Sequence, residues 1–293
     1  MTWRQATREE IYIYYTEEFP SYVDQLPSFI TARGPKQYAI AFREPHPVRK
    51  DGVPAKDFIR RDTWQTNASG ERTTAAFNDV GDVVEFIRHP ARNDPLGKSP
   101  FALADPDLLE KLAPCPDAVY YALDHWDRPW VLLVDIDAKE IARQRAAQAV
   151  PDGAGEVDTE GLLDAAGILE ADPAGYPYAF EDVERTIDYG FELRDIFEDD
   201  FNADETMVVY SGQGVHIYLL DTDLAHRYDA KSREVLNDLL QEIYEIPIDP
   251  VVTADRRRVA RLPYSLHADV CSVVQPIESP SFDVRSATPE VLQ

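Results

Sequence analysis

Leu132-Leu133-Val134-Asp135-Ile136-Asp137 runs apolar for three residues and then sets two carboxylates two positions apart. Read as the end of a strand over Trp130–Asp137, its alternation places Asp135 and Asp137 on one face, roughly 7 Å apart. At the end of a buried strand such a pair repels and loses hydration. A divalent cation bridging the two carboxylates reverses both costs. Taken alone, the motif also fits a strand whose outer face is simply solvated.

Working outward, the apolar run Ala118–Leu123 reads as the preceding strand. Lys36–Phe42 and Phe58–Trp64 read as two more, joined by a connection carrying Pro45, Pro47 and Pro54. Thr7-Arg8-Glu9-Glu10 is a capping box that opens an aromatic helix from Ile11 to about Glu18, stopping near Pro20. Leu108–Leu112 suggests a short helix. Downstream, Gln144 to about Tyr178 alternates acids and alanines with Gly153, Gly155, Gly161, Gly167 and Gly175, which marks an insertion or mobile segment with a weak helix over Thr159–Leu169. Val183, Ile187, Phe191 and Phe197 then form one stripe of a helix ending in Glu198-Asp199-Asp200. Strands are expected over Met207–Tyr210 and Val215–Leu220. A helix carrying Val235, Leu236, Leu239, Leu240 and Ile243 follows, and a final strand region covers Ile246–Val252. The pattern predicts one α/β domain over residues 1–293, with one insertion at about 144–178.

Composition removes several classes. A chain of 293 residues that is 44% hydrophobic can bury a sizeable core, which argues against disorder throughout. Its longest apolar stretches fall far short of the roughly 20 residues a spanning helix needs. Met1–Glu10 lacks a basic segment leading into an apolar run, so no secretory leader is expected and the reading is cytoplasmic. Two cysteines, Cys115 and Cys271, exclude a disulfide framework and a four-cysteine zinc site. The chain carries 54 acidic against 29 basic side chains, a formal charge of −25, and only seven of the basic residues are lysine. Acid-rich, lysine-poor composition is what proteins of salt-accumulating cells show, because carboxylates hold hydrated cations and salt screens their repulsion. On that reading net charge does not decide partners, and function rests on local constellations.

Two further constellations stand out. Tyr210-Ser211-Gly212-Gln213-Gly214-Val215-His216 sits between two strand signals, and its glycines permit a tight turn with backbone N–H groups turned toward an anion. His216 shares a face with Tyr218, so a buried histidine with one hydrogen bond is the plain alternative. Ile246-Pro247-Ile248-Asp249 supplies a third carboxylate. Beyond it, Arg261-Leu262-Pro263-Tyr264-Ser265-Leu266-His267 sets an arginine fork and a histidine on either side of a rigid turn. Arg256–Arg258 also fit a solvated basic patch.

In this order the three blocks resemble the catalytic motifs of the archaeo-eukaryotic primase superfamily, most nearly the small catalytic subunit of archaeal DNA primase. That family has Asp-x-Asp ending an apolar strand, a Ser-Gly turn closing on His, and a later Asp ahead of a basic residue and Leu-Pro-x-Ser-Leu-His. A weaker echo pairs Lys36–Phe42 and Phe58-Ile59-Arg60-Arg61 with two strands of the family. Three departures accompany it. The turn is one residue shorter than the usual Ser-Gly-x-x-Gly-x-His, a form that plasmid and viral relatives use. The stretch Ala138 to Asp204 has neither Cys nor His, so no zinc knuckle and no zinc is expected. Ala268-Asp269-Val270 replaces the glycine-rich tail.

The resemblance implies the primase α/β fold, a mixed β-sheet with flanking helices. It implies that Asp135, Asp137 and Asp249 hold two Mg²⁺ or Mn²⁺ ions. Ser211, His216, Arg261 and His267 would grip the triphosphate, with Arg60 as a further contact. Nucleoside triphosphates and a single-stranded DNA template are the implied partners, and a large primase subunit is a candidate third. The implied reaction is primer synthesis. Alternatives are a gap-filling primase-polymerase of end-joining or mobile-element type, a non-catalytic nucleic-acid-binding module, and an unrelated metal phosphohydrolase.

Overall fold

The structure is a computed structural model and describes residues 4–31, 38–42, 58–60, 64–66, 72–74, 80–81, 83–84, 116–122, 131–148, 178–225, 227–254 and 259–293. Its strands, in chain order, are β1 (Tyr38–Phe42), β2 (Phe58–Arg60), β3 (Trp64–Thr66), β4 (Arg72–Thr74), β5 (Pro116–Ala122), β6 (Leu132–Asp137), β7 (Thr206–Tyr210), β8 (Gly214–Leu219), β9 (Val259–Arg261), β10 (Leu266–His267), β11 (Ser272–Val273) and β12 (Gln275–Ile277). Among the described residues they form two four-stranded sheets, β12-β7-β8-β6 and β2-β1-β5-β9, and two hairpins, β3-β4 and β10-β11. Every described pair is antiparallel. The helix expected at Leu108–Leu112, the weak helix at Thr159–Leu169 and the patch Arg256–Arg258 lie outside the described residues.

The chain divides into two compact units, one of residues 1–4, 126–258 and 275–286, the other of residues 5–125, 259–274 and 287–293. In the first, β6 pairs along its whole length with β8, and β8 with β7. Alternation gives that sheet two different faces. Val208, Val215 and Ile217 point one way, toward α4 (Phe180–Asp199), which follows α3 (Ala138–Gln148) in the chain. The approach is close enough that a Cβ on Gly190 would lie 2.9 Å from the Val215 side chain. Val183, Ile187, Phe191 and Phe197 are buried, as their spacing predicts. α3 runs to Gln148, taking in the first five residues of the expected insertion, and residues 149–177 lie outside the described residues. On either side of that gap, Arg145 of α3 meets Asp182 of α4 at 3.0 Å, and Asp182 also accepts the Ala179 N–H at 2.7 Å.

Two expectations for this unit are corrected. The helix with the Val235 stripe forms as α5 (Ala230–Glu242), but Val235 and Ile243 are 60% and 68% exposed, while Arg233, Leu236, Asn237 and Leu240 face inward. Ile246–Val252 is not a strand: residues 245–249 form no regular element, the Ile248 N–H turns back to the Ile246 carbonyl at 2.9 Å, and α6 (Pro250–Ala254) begins after Asp249. Asp249 caps it, accepting the N–H groups of Val251 at 2.9 Å and Val252 at 3.1 Å, and Pro250 at the first position needs no N–H partner.

In the second unit the capping box forms as read, Thr7 N–H to Glu10 Oε2 at 2.8 Å and Glu10 N–H to Thr7 Oγ1 at 3.3 Å, opening α1 (Arg8–Ile13). The helix does not stop at Pro20. A π-helical turn over Tyr14–Glu18 carries it into α2 (Phe19–Tyr22), with the Phe19 N–H reaching back five residues to Tyr14. The widened turn shifts the hydrogen-bond register just where proline removes a donor and crowds the preceding turn. Tyr14, Tyr15 and Phe19 are fully buried and pack edge-on or tilted, with ring centroids 5.2 to 6.2 Å apart.

Candidate metal centre

β6 delivers Asp135 and Asp137 to the sheet face opposite α4. Asp249 reaches them because its N–H donates to the carbonyl of Asp135 at 2.7 Å, which docks the end of the Ile246–Asp249 segment on the strand. With Oδ1 spent on capping α6, Asp249 keeps Oδ2 for the cluster. One carboxylate oxygen from each of Asp135, Asp137 and Asp249 lies within 4.8 Å of the others. Unit charges at such distances repel by roughly 3–4 kcal/mol per pair at an effective dielectric near 20. A nearby cation relieves that repulsion.

Lys139, in the first turn of α3, is that cation. Its Nζ lies 2.5 Å from Asp137 Oδ2 and 3.9 Å from Asp249 Oδ2. Burial works against the ammonium. The hydrogen bond to Asp137 and the charges of Asp137, Asp249 and Asp135 outweigh it and hold the Lys139 pKa above the ordinary lysine value.

β8 supplies the neighbouring wall. The register sets His216 directly across from Asp135 and Gly214 across from Asp137. His216 is buried, with Nε2 3.5 Å from Asp135 Oδ1 and Nδ1 3.3 Å from the Tyr218 hydroxyl. A Cβ on Gly214 would overlap the carbonyl oxygen of Ile136, so the backbones meet too closely for any side chain opposite Asp137. Gly212 holds φ at 102°, a conformation glycine accepts and L side chains resist. The turn's anion-facing role is narrower than its sequence suggests: the Ser211 N–H donates to the Gly214 carbonyl at 2.9 Å, and Ser211 is buried.

The structure thus brings together Asp135, Asp137, Asp249 and His216, with Ser211 opening the adjoining turn. Arg261 and His267 belong to the second unit, on β9 and β10, and Arg60 ends β2 there. His267 is buried and Tyr264, between them, takes φ of 64° and stacks on Tyr22 with centroids 5.0 Å apart. Lys139 was not singled out in the sequence, although its place two residues beyond Asp137 was visible. Among the described residues the three aspartates are the cluster able to hold a metal ion. No described helix is long and apolar enough to cross a membrane.

No family model matches the chain. An uncharacterized DNA primase small subunit-like protein of Archaeoglobus fulgidus is 37% identical over 82 residues, which are 27% of this chain and 28% of that protein. The match thus spans less than a third of that relative's length. Among solved structures, the polymerase domain of Mycobacterium tuberculosis ligase D in complex with DNA aligns over 95% of this chain and 85% of that one, with a TM-score of 0.41 and 14% identity.

Proposed function

We propose that this chain is a distant relative of the archaeo-eukaryotic primase superfamily and a metal-dependent nucleotidyltransferase that makes short primers on single-stranded DNA from nucleoside triphosphates. The observation that carries the reading is the convergence of Asp135, Asp137 and Asp249 from β6 and the cap of α6. Their chemistry suits Mg²⁺ or Mn²⁺. All three donors are hard oxygens, and an ammonium already neutralises the cluster. Two such ions, when bound, supply activation of a nucleotide 3′-hydroxyl and neutralise the triphosphate and departing pyrophosphate.

The chain's own groups do the positioning. His216 steadies the carboxylate of Asp135 from the neighbouring strand, and the α6 cap fixes the orientation of Asp249. Ser211, His216, Arg261, His267 and Arg60 are proposed to hold the triphosphate, the arginines as forks on phosphate oxygens. The acid-rich surface fits a protein of a salt-rich cytoplasm, and a large primase subunit is the proposed protein partner.

Primer synthesis on unprimed single-stranded DNA, with Mg²⁺ or Mn²⁺ and with ribo- and deoxynucleotides across low to molar KCl, tests the reading. Template-dependent products with an optimum well above about 0.1 M salt are expected. Extension only of an annealed primer points to the gap-filling polymerase, binding without synthesis to a non-catalytic module, and hydrolysis without products to a phosphohydrolase.

A further inference from the structure

α5 lays a polar edge along the segment that carries Asp249. Arg233, Asn237 and Gln241 are each four residues apart and so form one line on the helix. Each donates to a backbone carbonyl of that segment: Arg233 Nη1 to Thr253 at 3.3 Å, Asn237 Nδ2 to Pro250 at 2.8 Å, and Gln241 Nε2 to Ile248 at 3.3 Å. The acceptors descend in the sequence as the donors rise. Asp249 sits between the second and third rungs.

This line explains why the helix departs from its hydrophobic pattern. Arg233 and Asn237 are 2% and 4% exposed, while Val235 and Ile243 are left in solvent. Burying a guanidinium and a carboxamide costs several kcal/mol unless their hydrogen bonds are made, and apolar replacements of similar size are often as stable or more so. Stability alone is therefore a weak reason for the arrangement. What the rungs supply is fixed position. They grip carbonyls on both sides of a residue that the charges of Asp135 and Asp137 push away. Two of these carbonyls, of Ile248 and Thr253, lie outside the short helix's own hydrogen-bond ladder.

We infer that Arg233, Asn237 and Gln241 are positioning residues for the metal centre, holding Asp249 within ligand distance of Asp135 and Asp137. The inference rests on the metal-centre reading above. Outer groups of this kind change metal affinity by about 10–100-fold in known sites.

The test is Mn²⁺ titration of the full chain without nucleotide, followed by electron paramagnetic resonance, with thermal melts in metal-free buffer beside it. Asn237→Leu keeps the size and loses the donor, and should raise the Mn²⁺ Kd about tenfold. Gln241→Met should raise it by a smaller factor and Gln241→Lys, which restores a donor, should bring it back; Gln241 is exposed, so this pair serves even if Asn237→Leu does not fold. Leu236→Ala and Leu240→Ala thin the apolar side of the same helix, and should lower the melting temperature while leaving the Kd within about twofold. Wild-type binding that is abolished by Asp135→Asn but indifferent to Asn237→Leu and Gln241→Met overturns the inference and leaves the metal centre standing. A Kd that merely follows melting temperature in all variants, the leucine pair included, also overturns it. A wild-type chain that binds no Mn²⁺ removes both.

Discussion

The carboxylate face of the first unit and the Arg261–His267 turn of the second both carry motif residues, yet they are built in opposite ways. On β6 and α6, three like charges are held within 4.8 Å, an arrangement that costs free energy until a cation joins it. In the turn, Leu262, Ser265 and Leu266 are fully buried, and two tyrosines of the N-terminal helical segment hold its backbone. Tyr14 donates its hydroxyl to the Tyr264 carbonyl, and the Leu266 N–H donates to the Tyr15 hydroxyl at 3.1 Å. The string Leu-Pro-Tyr-Ser-Leu-His therefore has a folding role of its own. The carboxylates, by contrast, are held together against their own repulsion, with the Lys139 ammonium as their counter-charge.

Substitutions should separate the two regions. Asp135→Asn is expected to lower nucleotidyl transfer on the order of a thousandfold or more, while the metal-free melting temperature stays level or rises because a repulsion is removed. Near-wild-type synthesis by this variant would end the comparison. Lys139→Met should act oppositely on binding. Removing the resident ammonium vacates the carboxylates, so Mn²⁺ affinity in the absence of nucleotide rises severalfold, and the metal-free chain becomes less stable as the aspartates lose their counter-charge. Molar KCl should shrink both effects. An unchanged Kd would mean that Lys139 does not compete for the site.

In the second unit, Tyr15→Phe removes the acceptor of the buried Leu266 N–H. An unsatisfied buried donor costs about 1–3 kcal/mol, or roughly 2–10 °C in melting temperature for a chain of this size, and Mn²⁺ affinity should not move. Loss of metal binding with unchanged stability would reverse the contrast drawn between the regions.

How much of this was legible follows from what periodicity measures. Alternation and glycine spacing found β6, the Ser-Gly turn and β8, because buried strands and positive-φ turns leave compositional marks. The Val183–Phe197 stripe was equally plain. The inward face of α5 departs from its pattern because a hydrophobic count cannot see that Arg233 and Asn237 are buried while donating to backbone carbonyls. The apolar run Ile246-Pro247-Ile248 imitates a strand, whereas Asp249-Pro250 is a cap followed by a first-turn proline and carried the helix signal. Pro20 reads as a stop in the sequence because a π-helical turn has no simple sequence mark. Lys139 went unremarked, since strand alternation ends at Asp137 and only the turn into α3 brings its ammonium back.

The smallest expected effect probes the other end of the aromatic support. Tyr22 stacks on Tyr264 and donates its hydroxyl to Glu18 Oε1 at 3.1 Å, while Glu18 Oε2 accepts the Val291 N–H at 2.9 Å. Burial, then the charge and hydrogen bond of Glu18, with smaller contributions from Glu290 and Tyr264, push the Tyr22 pKa up to about 12. An unfolded tyrosine ionises near about 10. Between these values the unfolded chain releases a proton that the folded chain keeps, so the contribution of Tyr22 to stability is full below pH about 10 and declines as pH rises toward about 12. Tyr22→Phe lacks this group and shares every other alkaline titration with the wild type. The stability difference between the two, measured by parallel melts, should shift in the variant's favour across that window and stay constant below it. Because Tyr22 is partly exposed, the shift should be modest. A difference that stays flat through the alkaline range would mean that Glu18 does not hold the Tyr22 proton, and that the stacked pair is a packing contact alone.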